Sequence, residues 1–326
     1  MNTKLEVYRF DGLESKDWDD FVDRSFNGTM FHTRRFLNYH PPDRFQDHSL
    51  YFQKKEKGYA VFPAASVNEE NGYILHSHPG ATIGSLVTNT SPSLKESFDL
   101  VIALVKYARD EKFSGIKITL PPNCYSESMS NQMEFALLKM GFTYVKREIS
   151  SVLLLPDTVE EIAKGFKPSH RQAVRKAEKE GVQIKQSTNF EIFYRILENN
   201  LSKRHGVSPT HSLKELELLQ AIFPNKIILH GAFIKDKMIA GVVSFILNKR
   251  AQLAFYISHD ENFQDKRALN LLFFTIFKEA IKSGKKVFDF GLFTENGEPN
   301  FGLARFKENF GASGVFRDTL ELDLTE

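Results

Sequence analysis

The stretch "KRALNLLFFTIFKEAIKSGKKVFDFG", residues 266–291, decides the fold. Its first part, up to Gly284, has apolar residues at helical spacing and ends on a glycine, which predicts a helix that stops there. "KKVFDFG" then reads as a strand. Working backward, "AQLAFYIS" (251–258) is another strand, and "IILHGAFIKDKMIAGVVSFIL" (227–247) is two strands around a Lys235-Asp236-Lys237 turn. Working forward, "GLARFKENF" (302–310) is a short helical piece ending at Gly311, and "GVFRDTLELDL" (314–324) is the last strand.

The first half repeats this order. "LYFQKKEKGYAVFPAA" (50–65) predicts a hairpin turning at Lys57-Gly58, and "YILHSHPGATIGSLV" (73–87) a strand interrupted by glycines. "SLKESFDLVIALVKYARDEKF" (93–113) is a helix with Phe98, Ile102, Val105 and Ala108 on one face. The strand "GIKITL", the helix "NQMEFALLKM" and the strand "TYVKREISSVLLL" (143–155) follow. Gly115 and Gly141 are 26 residues apart, and their counterparts Gly284 and Gly311 are 27 apart. Two copies of one β-β-α-β-α-β unit account for this pattern. The expected domains are 1–155 and 156–326, the second opening on a basic linker helix at about 164–181.

The chain has 326 residues, is 41% hydrophobic and 26% charged, and contains 30 phenylalanines, enough for two sizeable cores. Net charge is only +2, so any anion site must be a local patch. The single cysteine, Cys124, excludes a disulfide framework and a multi-cysteine metal site. No signal-like apolar region opens the sequence, and the longest apolar run, "LNLLFFTIF" (269–277), is too short to span a bilayer. A cytoplasmic protein without a transmembrane segment is expected.

Between the halves, residues 164–185 hold seven Lys/Arg. Arg171, Arg175 and Lys179 recur every four residues and share a helix face. Such a row repels itself unless it meets an anion, either a phosphate-bearing ligand or RNA, or unless acidic neighbours elsewhere in the fold solvate it. His76 and His78 in "LHSHPG" fall on one side of a strand, while His205 and His211 lie in "RHGVSPTH". Neither pair has metal-ligand spacing, so acid/base or hydrogen-bonding roles are expected and no metal. No G-x-S-x-G elbow, P-loop or dinucleotide fingerprint is present, which removes support for a covalent intermediate. Lys307, between Phe306 and Glu308, could offer a point charge to a phosphate or an oxyanion; it could equally be a surface lysine.

Several of these segments together resemble the FemAB-like branch of the GNAT superfamily. "FDFGLF…G…ARFKENFGA" is similar to a D-x-G strand followed by F-K-x-x-F-G, and "HRQAVRKAEKEGV" to the basic R-x-x-x-R-K-A-x-K-x-G-V helix. "MFHTRRFLNYH" resembles the early F-x-T-x-x-[FW]-L element, and "HSHPGATIGSLV" the segment S-H-x-G-x-T-x-G-G-L, with Ser85 at a usual glycine. The resemblance implies an α/β (α+β) tandem GNAT fold, each half a mixed, mainly antiparallel sheet flanked by helices. It also implies acyl or aminoacyl transfer to an amine, with acyl-CoA, acyl-carrier protein or aminoacyl-tRNA as donor and no tightly bound cofactor. The acceptor would be a small molecule or a cell-envelope precursor. Lys307 would stabilise charge on the reacting ester and phosphate, with Phe306 beside it. Arg171 and Arg175 would hold phosphate, while Arg204, His205 and Tyr256 would contact substrate. His211 and His78, with His205, are candidates to take the amine proton. Two departures stand out. The pyrophosphate loop Q/R-x-x-G-x-G/A is replaced by "QDKRAL", and "RHG" continues as "VSPTHSLKEL" without the family's Arg/Tyr acceptor pair. A second reading remains open: an inert GNAT-like module that binds an anionic partner.

Overall fold

The computed structural model describes residues 5–12, 15–205 and 208–325, with 203–205 described by backbone only. The first part of the chain supplies β1 (Glu6–Arg9), α1 (Ser15–Arg24), α2 (Arg34–Leu37), β2 (Gln46–Asp47), β3 (Leu50–Lys54), β4 (Lys57–Phe62), β5 (Ala64–Glu69), β6 (Gly72–Ser77) and β7 (Val87–Thr88). Then come α3 (Leu94–Asp110), β8 (Gly115–Thr119), α4 (Gln132–Lys139), β9 (Thr143–Leu154), α5 (Pro168–Lys179), β10 (Gln183–Ser187), α6 (Phe190–His205) and α7 (Leu213–Ile222). The last part holds β11 (Ile227–Ile234), β12 (Lys237–Ile246), β13 (Ala251–His259), α8 (Ala268–Lys282), β14 (Val287–Leu292), β15 (Thr294–Glu295), β16 (Glu298–Pro299), α9 (Phe301–Glu308) and β17 (Ser313–Asp323).

The chain forms two compact units, Met1–Glu148 with Phe316–Glu326, and Ile149–Val315. Each unit takes its closing strand from the other repeat. β17 pairs antiparallel with β8 (Thr319↔Thr119 to Asp323↔Gly115), and the end of β9 pairs with β14 (Val287↔Leu154, Asp289↔Val152). Sequence pattern fixes that a strand exists but not which of two similar sheets it completes. The expected cut at 155/156 keeps residues 316–326 with the second half, whereas the contacts place them in the first unit.

In the first unit, β1-β3-β4-β7 form one sheet, and β8, β6, β5 and β2 are successive neighbours in another. The hairpin turn falls at Lys55 and Glu56, two residues before the expected Lys57-Gly58. Both residues have positive φ (55° and 61°), which matches the twist of a two-residue hairpin. Helix α3 buries Leu100, Val101, Leu104, Val105 and Ala108, while Ile102 faces outward at 47% exposure. The helical period was legible, and the buried stripe is rotated from the expected one.

In the second unit the sheet order is β10-β11-β12-β13-β14-β9. Most neighbours are antiparallel, and β13–β14 is parallel. Helix α8 lays Phe273, Ile276, Phe277 and Ala280 on this sheet at spacings of three and four, all buried. The Phe273 and Phe277 rings meet Phe288, Phe290 and Phe310 edge-on, except that Phe273 and Phe290 are tilted. Burial of each such side chain stabilises the fold by roughly 1.5–3 kcal/mol. Among the described residues, no helix is long and apolar enough to cross a membrane.

Candidate functional site

The site grows from the place where β13 and β14 part. Their parallel register covers Ala251↔Val287, Gln252↔Phe288 and Leu253↔Asp289. β13 then runs on to His259, paired with β12 on its other edge, with a register shift that leaves Phe255 as an extra residue. Such a bulge bends a strand and re-aims its side chains.

β14 is turned by "DFG". Gly291 has φ +77°, a region glycine enters without steric cost, and an added Cβ there would touch the Ala254 carbonyl at 3.7 Å. Buried Asp289 holds the turn by accepting hydrogen bonds from the Gly291 N–H (2.6 Å) and the Ser150 hydroxyl (2.6 Å). Lys307 closes it from the other side. Its side chain is 1% exposed, and Nζ donates to the carbonyls of Gly291 and Leu292, both at 2.8 Å. Asp289 and Lys307 thus grip one peptide segment, the carboxylate on its N–H and the ammonium on its carbonyls.

The end of β13, Ile257 to His259, lines a cavity of about 530 Å³ within the second unit. Its lining is largely aliphatic and aromatic: Leu197, Leu201, Ile239, Ile257, Phe263, Leu269, Leu303 and Phe306. The polar contributors include Asn200, Ser258, His259, Gln264, Arg267, Asn270 and Asn300. Asn200 fixes the end of β13 by donating to Ser258 Oγ (2.7 Å) and the His259 carbonyl (2.8 Å). Arg267 occupies the N-cap of α8 in the left-handed conformation (φ 56°, ψ 31°), and no side chain caps that helix end. An uncapped N-terminus presents backbone N–H groups and a positive dipole end to an anion.

The predicted residues separate. Phe306 lines the cavity and packs against His170 (5.5 Å) and Phe310 (5.3 Å). Lys307, its neighbour, points into the core instead. Tyr256 and His211 come together: the Tyr256 oxygen lies 2.8 Å from His211 Nδ1 and accepts the His211 N–H at 3.0 Å. Burial pushes the Tyr256 phenol up to about 12, so it remains neutral at physiological pH. Both residues are buried, and neither is among the cavity-lining residues. Arg171 donates to the Phe166 carbonyl, and Arg175 is exposed on α5. The side chains of Arg204 and His205 lie outside the described residues.

His78 belongs to the first unit. It stacks on His40 (6.0 Å between rings, 12°) and lines a smaller hollow of about 220 Å³ with Arg34, Phe45 and Asp47. Burial lowers its pKa to about 4, and burial does the same to His76. Among the described residues, no group of three or more His, Cys, Asp or Glu is placed to hold a metal.

Sequence reasoning missed Arg267, His259 and Asn270. Gln264 of "QDKRAL" marks the right loop, but a left-handed arginine leaves no trace in sequence. His259 stands one residue beyond "LAFYIS".

Residues 164–308 match the family model of the acetyltransferase (GNAT) domain. The match covers less than half of the chain, and over its whole length the chain has a tandem GNAT-like fold. The structure is similar to that of FemX (TM-score 0.76, 13% identity, 98% of both chains covered). It is also similar to a tandem GNAT protein from the clavulanic acid biosynthesis pathway (0.55, 11%, 98% of both) and to L-PGS from Bacillus licheniformis (0.58, 12%, 94% of this chain and 90% of that one). No curated protein matches the sequence.

Proposed function

We propose that the chain transfers an acyl group from an activated ester or thioester to an acceptor amine, with the donor seated in the cavity of the second unit. The observation that carries this reading is the parting of β13 from β14 after Leu253/Asp289, with β13 running on to line, at Ile257 to His259, a cavity bordered by an uncapped helix end. The donor carbonyl lies along the β13 edge that β14 leaves. There a main-chain N–H stabilises the tetrahedral oxyanion, a contribution of roughly 3 kcal/mol for a well-placed donor. The amine nitrogen attacks the carbonyl carbon, the C–N bond forms, and the C–S or C–O bond breaks with its electron pair leaving on sulfur or oxygen. The amine proton passes through His259, the histidine of the lining, to the leaving group.

Arg267 is the anion contact for the donor. A glycine cradle would bring backbone N–H groups close to a pyrophosphate; Arg267 and Leu269 carry side chains there, and a guanidinium supplies the charge instead. Acyl-CoA is thus a co-substrate held by one charge and a helix end. In this reading Lys307 acts through Gly291 and Leu292, keeping the β14 end in place, and Phe306 forms the cavity wall.

The test is thiol release from a panel of acyl-CoAs, with deacylation of aminoacyl-tRNA followed in parallel, in the presence of hydroxylamine or mixed amino acids as acceptors. Amine-dependent turnover is expected, and Arg267→Ala should raise the donor KM about tenfold, equivalent to ~1.4 kcal/mol. Failure to consume any of these donors, together with unaltered binding of anions, would leave the inert anion-binding module as the reading.

A further inference from the structure

The basic helix α5 has no part in the chemistry above, yet both of its ends are tied to the cavity. Near its N-terminus, His170 packs on Phe306 of the lining at 5.5 Å. At its C-terminal cap, Glu180 pairs with Lys266 at 2.7 Å, the residue before Arg267. The helix therefore runs along the bank of the cavity.

Its outer face is cationic. Arg175, Lys176 and Lys179 are exposed and form no ion pair among the described residues, and exposed Lys167 precedes the first turn. Glu180 is already neutralised by Lys266, which leaves Glu178 as the exposed acid within the helix. From Arg171 to Lys179 the row extends roughly 12 Å, at one cation or more per turn. Like charges at this spacing are unfavourable until an opposing surface meets them.

We propose that α5 is the docking surface for an acidic acyl-carrier protein, which delivers its thioester from this face into the cavity. The inference rests on the acyl-transfer reading and names the donor's carrier. Charge complementarity selects an acidic helix, whose carboxylates recur with the same one-turn period as the cations of α5. Two observations favour a protein carrier over single-stranded RNA. No exposed residue of α5 is aromatic, whereas surfaces for single-stranded nucleic acid combine cations with stacking rings. The cavity wall of Leu197, Leu201, Ile257, Leu269 and Leu303 suits a plain acyl chain. CoA carries only a few phosphates, for which Arg267 in the cavity lining is one cation, and does not need a row of this length.

The experiment compares the same octanoyl group on a bacterial acyl-carrier protein and on CoA, in the full chain and in the double variant Lys176→Glu/Lys179→Glu. At low salt, kcat/KM is expected to be at least tenfold higher for the carrier-borne thioester. The advantage should shrink as ionic strength rises. The double variant should lose at least tenfold on the carrier and stay within twofold on CoA. Equal rates on both donors, or a carrier rate indifferent to charge reversal, would overturn the inference while leaving acyl transfer intact. Consumption of charged tRNA with loss on charge reversal would assign the surface to RNA and also overturn it. Direct titration of the carrier against both proteins decides docking separately from chemistry. If neither thioester turns over but the carrier binds in a charge-dependent way, the docking surface stands and the catalytic reading fails; absence of carrier binding sinks the docking surface.

Discussion

Both units contain a short parallel strand pair that brackets a long helix, and they finish it differently. In the first unit β6 runs parallel to β8 through Ile74↔Gly115, Leu75↔Ile116 and His76↔Lys117. The chain then fills the gap itself. Thr119 N–H donates to Ser77 Oγ at 3.0 Å, and Gly84 N–H donates to the Thr119 carbonyl at 2.7 Å. The helix α3 is sealed as well: Ser93 and Glu96 form a reciprocal capping box. In the second unit β13 runs on past the gap after Leu253/Asp289 to line a cavity with Ile257 to His259, and α8 begins at Arg267 without a side-chain cap. Duplication supplied two wedges. The first is closed by its own hydrogen bonds and cap, while the second leaves a helix end without a side-chain cap, which suits the proposed donor site.

The lysines near the ends of the two short helices differ in the same sense. Lys139 of α4 is exposed and lies over the Phe135 ring at 5.6 Å, whereas Lys307 of α9 is buried and clamps the end of β14.

Acid should break this comparison most strongly. His32, His76 and His78, all in the first unit, have pKa values lowered to about 4 by burial, and His48 is lowered for the same reason. In the second unit His170 is lowered, again mainly by burial. A histidine kept neutral in the fold but protonated when unfolded contributes stability that is complete above about pH 6.5 and is lost as pH falls toward 4. Each costs on the order of 1 kcal/mol per pH unit across that window. Trp18, the single tryptophan, lies buried in the first unit and reports on it. Its urea midpoint should fall steeply between pH 6.5 and 4; a flat profile would contradict the buried neutral histidines.

Lys307→Met should cost about 3 kcal/mol in urea unfolding, because two carbonyls lose their buried donor. A variant that keeps full stability and loses turnover would return Lys307 to direct contact with donor charge. His259→Gln should lower kcat about a hundredfold with little change in stability. An equal loss from His211→Gln alone would shift the proton transfer to the Tyr256 pair. Gly84→Ala probes the sealed wedge. An added Cβ would lie 2.5 Å from the Ser77 Cβ, so the substitution should cost roughly 2 kcal/mol while turnover per folded molecule is unchanged.

Much of this organisation was legible in the sequence. Glycines at matched spacing showed the repeat, and "FDFG" with "RFKENFG" pointed to the segment where β14 turns and Lys307 closes the turn. Three things were not. The exchange of closing strands depends on which sheet a strand joins, and β9 and β17 have similar patterns. Lys307 in sequence looks like any lysine on a short helix; only the carbonyls of Gly291 and Leu292, some fifteen residues earlier, draw it inward. Arg267 was hidden because a left-handed backbone is announced by glycine or asparagine and rarely by arginine.

The proposed path takes the acyl donor into the open wedge of the second unit. A non-reactive thioether analogue of acyl-CoA, carrying a diazirine at the end of its acyl chain, tests it directly when the photolabelled protein is mapped by mass spectrometry. Labels are expected on the cavity wall, at Ile257, Leu269 and Leu303. Labels confined to the first unit around His40, Phe45 and His78 would contradict it.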